Sequence, residues 1–283
     1  MMKNKVPSDE VFRLVDDAVK GDKTALESLL SDVQDMVFNL SLRMLGTIPD
    51  AEDASQEILV RVMTNLASFR KECAFSTWVF KIAVNHLKNY KKSMFANRPL
   101  SFEYYSEDIL NGNTGDIPDM TQNIDSNLLS DELKMSCTNV MLQCLDPASR
   151  CIFILGTMFK LDSRIAGEIL NLSPDTYRQR LSRTRKKMAG FLSEYCGLGG
   201  GVCNCRKRIN YAISTHRLHP QNLEYSSLEC REDSAILDYT CAMEQIDDIA
   251  MVFNHMPLYR SATAARNFIS NLLETDLFET IQQ

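Results

Sequence analysis

The residues best suited to metal or redox chemistry lie in the last third of the sequence. Cys196, Cys203 and Cys205 precede His216. Thiolate sulfur and imidazole nitrogen are ligands that structural zinc prefers, and four of them satisfy its tetrahedral geometry. The spacing matches no common zinc finger, so a redox-responsive thiol pair and plain reduced cysteines stay open as alternatives. We expect no catalytic residues, because no triad and no phosphate-binding glycine loop is recognisable.

A second candidate site is a basic helix near residue 180. A short helix over 163–170, a tight turn and a longer helix starting at 174 form a helix-turn-helix pattern. In that motif the start of the second helix contacts base edges in the major groove, while flanking cations hold phosphates. A solvated basic helix in an ordinary bundle gives the same pattern. The candidate DNA contacts are Thr176, Tyr177, Arg178, Gln179, Arg180 and Arg183.

Aromatic and basic side chains are interleaved between residues 75 and 92. Aromatic rings beside a cationic groove suit single-stranded DNA, because stacking and phosphate attraction need no particular base. A core position for Trp78 is equally compatible with the sequence, because large aromatic side chains are usually buried. The candidate DNA contacts in this segment are Trp78, Lys81, Asn85, Lys88 and Lys91.

Charge is unevenly distributed along the 283 residues. The net charge of −6 argues against a generally sticky nucleic-acid binder. However, residues 70–98 contain seven Lys or Arg and one acid, and residues 171–187 contain six and one. Two compact basic blocks between acidic stretches are typical of a modular DNA-binding protein.

The apolar spacing predicts an all-α fold in four parts. A helical domain over 8–95 includes a helix capped by Asp50 and another capped by Ser76. A flexible acidic linker is expected over 96–127, where the periodicity disappears. A second helical domain over 128–195 has helix starts at Asp146-Pro147 and Ser173-Pro174. A mostly helical extension over 196–283 includes helices over 235–253 and 262–275.

We expect a cytoplasmic protein that does not contact membranes. No apolar stretch reaches the roughly 20 residues of a membrane span, and the first residues do not match a signal peptide. In that compartment the nine cysteines are mostly reduced.

Two groups of motifs resemble a known family. The acidic run from Asp50 to Glu57, followed by Phe-Ser-Thr-Trp-Val-Phe-Lys-Ile-Ala-Val-Asn over 75–85, resembles region 2 of the extracytoplasmic-function (ECF) sigma factors of the bacterial sigma-70 family. Leu-Asp-Pro-Ala-Ser-Arg from residue 145 through Lys187 resembles their region 4. The Cys-Asn-Cys-Arg-Lys run over 203–207 is similar to a segment in the C-terminal extensions of some members.

The resemblance implies a transcription initiation factor with no enzymatic activity. Its expected partners are bacterial core RNA polymerase, through the β′ clamp helices and the β flap, and promoter DNA. The segment over 65–89 would bind the −10 element and the helix over 174–187 the −35 element. Whether a separate anti-sigma factor exists stays open. The polymerase-binding residues would be Asp50, Glu52, Asp53, Gln56 and Glu57.

Two other functions compete with this one. The first is a helix-turn-helix regulator that binds DNA without polymerase, and the second is a thiol or zinc enzyme built on the cysteines of the extension. No cofactor is required for the sigma function, although the extension is a candidate for structural zinc. We also expect the acidic tail to regulate the sigma core by covering a basic DNA-binding face.

Overall fold

The computed structural model describes residues 8–90, 92–112, 117–121, 123–230, 253, 255–261 and 263–274. Regular structure in these ranges is helical, apart from an isolated antiparallel bridge between Cys230 and Tyr259. The all-α prediction is therefore confirmed. Among the described residues, no helix is long and apolar enough to cross a membrane.

The first group of helices comprises α1 (Ser8–Val19), α2 (Lys23–Leu45), α3 (Ile48–Thr64) and α4 (Phe75–Lys88). Helix α2 ends at Gly46, whose φ of 86° is readily adopted by glycine. Helix α3 begins after Thr47, whose hydroxyl accepts from the Asp50 amide at 3.3 Å and donates to its carboxylate at 2.7 Å. Asp50 is therefore inside the first turn, and its prediction as the N-cap was wrong. The prediction for Ser76 was also wrong, because α4 begins at Phe75.

The segment over 96–127, predicted as a flexible acidic linker, contains the end of α5 (Met94–Asn97) and all of α6 (Phe102–Asn111). The Ser101 hydroxyl caps α6 by accepting from the Tyr104 amide at 3.1 Å. Phe102 and Tyr105 then pack on Phe191, with ring centroids 4.9 and 5.9 Å apart. Helix α6 was not predicted from the sequence, because the apolar contacts that hold it come from residues far away in sequence.

The second group comprises α7 (Ser126–Gln143), α8 (Pro147–Phe153), α9 (Ser163–Leu170) and α10 (Pro174–Tyr195), and a π-helical stretch, Ile154–Met158, continues α8. Asp146 and Ser173 cap α8 and α10 as predicted. The turn from α9 to α10 requires a glycine at 167, because a Cβ there would lie 2.6 Å from the Leu172 carbonyl oxygen. Asn171 completes the turn in the left-handed region, at φ 55°.

The extension contributes α11 (Cys205–Ser214) and α12 (Thr263–Glu274). Helix α11 packs on α7, and α12 packs on α2 and α3. The second of the two predicted tail helices, over 262–275, is confirmed. The other, over 235–253, lies outside the described residues except for Phe253.

The two groups of helices share one apolar core, and a buried cation lies at their junction. Arg43 of α2 is 1% exposed. Its guanidinium donates to the Asn139 side-chain oxygen in α7 at 2.7 Å and to the Pro257 carbonyl at 2.5 Å. One turn earlier, Asn39 exchanges two hydrogen bonds with the Tyr259 backbone, at 2.6 and 2.9 Å. The segment over 256–261 is thus bound at the α2–α7 junction.

We predict that Arg43→Ala lowers the free energy of unfolding by about 3 kcal/mol, because it opens a cavity and leaves two buried acceptors without their donor. Urea unfolding of the full chain, followed by circular dichroism, measures the change. Arg13→Ala on exposed α1 is the control and should stay within about 0.5 kcal/mol of the parent. An Arg43→Ala effect as small as that of the control would contradict the prediction.

Candidate polymerase and promoter interfaces

The start of α3 presents an acidic surface. Ala51, Ala54 and Ile58 bury one side of the helix. The five predicted polymerase-binding residues project on the other side, where Asp53 is exposed and the rest are half-buried. Partial burial and the Asp53 charge raise the pKa of Glu52. The predicted residues therefore lie together on one side of the helix.

Glu57 links this acidic surface to the end of α4. Its carboxylate lies 2.7 Å from the Lys92 ammonium and 3.4 Å from His86 Nε2. The hydrogen bond from Lys92 is the main reason that the pKa of Glu57 is lowered. Burial lowers the pKa of His86. Glu57 thus has an intramolecular partner, whereas exposed Asp53 forms no ion pair with the residues that the structure describes.

A groove of about 620 Å³ lies between α3 and α4. Two predicted DNA contacts, Trp78 and Asn85, line it together with Arg61 and Lys92. The sequence analysis missed Arg61 as a site residue, although it follows Glu57 by one helical turn. The remaining lining residues are Glu57, Asn65, Ser68, Ile82, His86, Asn89 and Tyr90.

Trp78 is held by other aromatic rings at one end of the groove. Its ring centroid lies 5.3 Å from that of Phe69 and 5.8 Å from that of Phe75, to which it is stacked. The side chain is only half-buried. Trp78 therefore packs on the core and still faces the groove, so both of the alternatives drawn from the sequence apply in part.

The other predicted contacts of this segment lie elsewhere. Lys81 forms an ion pair with Glu168 of α9 at 2.8 Å. Lys88 is exposed and does not line the groove. Helical spacing explains the division, because positions 78, 82, 85 and 89 share one face of α4 and positions 81 and 88 lie on another. Lys91 lies outside the described residues.

Helix α10 presents an exposed basic surface next to α9. Arg178, Gln179, Arg180 and Arg183 are exposed, and Thr176 is half-buried beside its cap. Tyr177 is 1% exposed, and its hydroxyl donates to the Ile152 carbonyl at 3.1 Å. Its prediction as a DNA contact was wrong, because the ring fills the core beneath the recognition helix.

The predicted zinc ligands do not form a metal site. Within the described ranges, no group of three or more His, Cys, Asp or Glu side chains is arranged to hold a metal ion. Cys205 begins the ten-residue helix α11, and His216 lies two residues beyond its end. Eleven residues at a rise of 1.5 Å each separate His216 from Cys205 by about 16 Å. His216 is therefore too far from Cys205 to share a metal with it.

The comparisons with known proteins agree with this arrangement. Residues 29–94 match the model of Sigma-70 region 2. The chain is 30% identical to the ECF RNA polymerase sigma-E factor of Haemophilus influenzae over 61% of its length and 90% of that protein. It is 28% identical to the ECF RNA polymerase sigma factor SigW of Bacillus subtilis, over 60% of this chain and 89% of SigW.

One solved structure also overlaps with this chain. It is that of CnrH in complex with the cytosolic domain of CnrY, at 20% identity and a TM-score of 0.47, over 65% of this chain and 98% of that one.

A helical protein with a region 2 match and a helix-turn-helix is a sigma-type transcription initiation factor. The match to the sigma-E factor of Haemophilus influenzae, which covers 90% of that protein, identifies the family within this class. The chain belongs to the family of ECF RNA polymerase sigma factors. It is a polymerase-binding sigma factor, and members of this family are not enzymes. The comparisons do not favour a regulator that acts without polymerase.

The burial of Tyr177 generates a paired prediction. Tyr177→Phe should lower the free energy of unfolding by about 1 kcal/mol, because it removes one buried hydrogen bond, and should leave promoter binding unchanged. Gln179→Ala should change the free energy of unfolding by no more than about 0.5 kcal/mol relative to the parent. Urea unfolding and promoter-fragment binding by the polymerase complex measure the two effects. Loss of promoter binding at equal stability in Tyr177→Phe would restore Tyr177 as a DNA contact.

Proposed function

We propose that the acidic surface of α3 binds core polymerase. The carboxylates at its start lie on one face that the rest of the chain leaves accessible. A basic partner surface would gain complementary charge there, and such pairs chiefly increase the association rate and the specificity. The basic partner implied by the family resemblance is the β′ clamp helices, and the β flap would contact the second helical group.

We propose that the groove between α3 and α4 holds the opened −10 strand. Trp78 offers a ring for stacking, Asn85 an amide for hydrogen bonding, and Arg61 and Lys92 charge for phosphates. Extrusion of a base costs a few kcal/mol, which stacking and pocket contacts can offset. The combination of an accessible ring with two cations in one groove is the observation that supports this assignment best.

We propose that α10 binds the −35 element in the major groove. Gln179 and Arg180 lie in its first turns, where base edges are contacted, and Arg183 follows one turn later to hold a phosphate. Arg178 also donates to the Ser163 hydroxyl at 2.9 Å, so it positions α9 against α10. The assignment rests on the exposure of these side chains.

We also propose that the extension keeps the two groups of helices in contact with each other. The two promoter elements lie about 25 base pairs apart, which is about 85 Å of B-form DNA. A compact body of about 174 residues is only about 40 Å across. Both elements can therefore be bound only after the two groups of helices separate. The segment over 256–261 is hydrogen-bonded to Asn39 and Arg43 of α2, and Arg43 also bonds Asn139 of α7, so we infer that the docked segment favours the closed arrangement.

This mechanism differs from the expected one, in which the tail covers a basic face. The described tail segment contacts the α2–α7 junction, and the cations at 178, 180 and 183 of α10 stay exposed. The extension would thus restrain the core within one chain, a role that a separate anti-sigma factor could otherwise supply.

We predict that Asp53→Lys abolishes co-elution with core polymerase on gel filtration, because it reverses an exposed charge in the middle of the proposed docking surface. Glu10→Lys on exposed α1 makes the same charge change away from that surface and should co-elute like the parent. Co-elution of Asp53→Lys with the polymerase at 0.15 M salt would contradict the proposal that α3 binds it.

We predict that Asn39→Ala increases promoter-dependent transcription with core polymerase at least threefold, because it removes both hydrogen bonds to the Tyr259 backbone. Hydrogen exchange of the segment over 256–261 should rise in the same variant. Exposed Asn97→Ala is the control. Faster exchange without any gain in transcription would show that the docked segment does not restrain the core.

A further inference from the structure

Helix α11 of the extension contacts two different parts of the chain. It packs on α7, where its apolar residues form a buried cluster with Leu129: Ile209, Ala212 and Ile213. Its polar residues, and those of the turn that follows it, contact the segment over 96–127, which connects the two groups of helices. The extension therefore touches the connection between the groups as well as the groups themselves.

The most buried of these polar contacts is formed by Asp108 of α6, whose side chain is 5% exposed. The carboxylate accepts from Arg208 at 2.8 Å, from the Tyr211 hydroxyl at 2.9 Å and from Arg217 at 2.5 Å. A Cβ at Gly112 would lie 2.6 Å from Arg208 Nε, so the glycine lets the end of α6 approach α11 closely. A buried carboxylate without a partner is unfavourable. The burial of Asp108 thus depends on the extension.

Two further hydrogen bonds join α11 to the rest of the connecting segment. The Asn210 side-chain oxygen accepts from the Met120 amide at 3.0 Å. The Arg206 guanidinium donates to the Asn127 side-chain oxygen, at the start of α7, at 2.6 Å. Helix α11 therefore contacts this segment from the last turns of α6 to the beginning of α7.

Helix α6 is bound to the second group of helices on two sides. Phe102 and Tyr105 pack on Phe191 of α10, and Asp108 binds to α11, which itself packs on α7. Helices as short as the ten residues of α6 are marginal in isolation. The folded state of α6 therefore depends on its contacts with α10 and α11.

The binding of α6 determines how much chain can extend between the two groups. Residues 89–101 lie between α4 and α6, and these 13 residues reach at most about 45 Å. Residues 89–125 lie between α4 and α7, and these 37 residues reach about 125 Å.

Promoter elements about 85 Å apart, bound by a body about 40 Å across, require about 45 Å of additional separation. The shorter connection covers this distance only when it is fully extended, which costs conformational entropy. The longer connection covers it without being stretched. Release of α6 would therefore make the separation far less costly.

We propose that α11 is a binding surface for the segment over 96–127 and that, by holding α6, it limits how far the two groups of helices can separate. Release of α6 converts a short connection into a long one within the same chain. The limit on separation rests on the proposed function of the extension, whereas the binding of α6 by α11 does not.

Hydrogen exchange of the full chain, followed by mass spectrometry, tests the binding of α6. Asp108→Asn keeps the shape of the side chain and removes the charge that two guanidinium groups share. Exchange over 102–112 should be at least tenfold faster than in the parent. Glu107→Gln makes the same chemical change at an exposed position of the same helix and should exchange like the parent. Equal exchange over 102–112 in all three proteins would overturn the proposal.

A second variant removes the partner from the side of the extension. The Arg217 side chain is 39% exposed, so Arg217→Ala leaves the core intact. It should accelerate exchange over 102–112 at least threefold, whereas Lys207→Ala, an exposed change on α11, should not. The double variant Asp108→Asn/Arg217→Ala should exchange no faster than the faster single variant, because both changes disrupt one contact. Fully additive effects would contradict that contact, and circular dichroism checks that each variant is folded.

Transcription with core polymerase tests the limit on separation. Twelve Gly and Ser residues inserted after exposed Arg98 lengthen the connection between α4 and α6 independently of α11. Asp108→Asn should increase promoter-dependent transcription at least twofold at the parent length, and this increase should disappear in the lengthened chain. An equal increase at both lengths would overturn the limit.

Comparison with Asn39→Ala separates this proposal from the proposed function of the extension. An increase in transcription for Asn39→Ala without one for Asp108→Asn would overturn the limit on separation and leave that function in place. No increase for either variant would contradict both.

Discussion

The arrangement of the whole chain depends on the burial of one charged side chain, Arg43. A guanidinium removed from water must have its donors satisfied, since an unpaired buried charge costs several kcal/mol. Its own helix cannot supply the acceptors, because the carbonyls of α2 are used within the helix. Asn139 of α7 accepts from Nη1, and Pro257 of the extension accepts from Nη2. The hydrogen bonds of the buried Arg43 guanidinium thus connect α2 both to α7 and to the tail segment.

The junction at Arg43 accompanies further direct contacts between the two groups of helices. With α2 and α7 held together, α4 packs against α8 and α9. Phe80 and Phe159 meet edge to face at 5.3 Å, and Lys81 pairs with Glu168. The ion pair is half-exposed and contributes little stability, whereas the apolar contact removes area from water. Separation of the two groups of helices therefore requires apolar surface to be exposed.

Local signals in the sequence were sufficient to predict where helices of the second group begin. Features that depend on contacts between residues distant in sequence were not predicted. Asp146-Pro147 and Ser173-Pro174 define helix starts through their own side chains, so no distant residue is needed to predict them. Helix α6 and the burial of Tyr177 depend instead on partners far away in sequence. The groove was found in part, because Trp78 and Asn85 belong to one helix whereas Arg61 comes from another.

The distribution of charge favours an extension that holds the two groups of helices together over an extension that covers DNA-binding surfaces. Covering α10 would require acidic groups opposite Arg180 and Arg183, and both side chains are exposed in the closed state. The buried hydrogen bonds at the α2–α7 junction instead add to the apolar contact that already joins the two groups. Such bonds contribute about 1 kcal/mol each, so their loss moves the balance between closed and open states by a similar amount. In the proposed function, polymerase would bind the separated arrangement more tightly and so supply the remaining free energy.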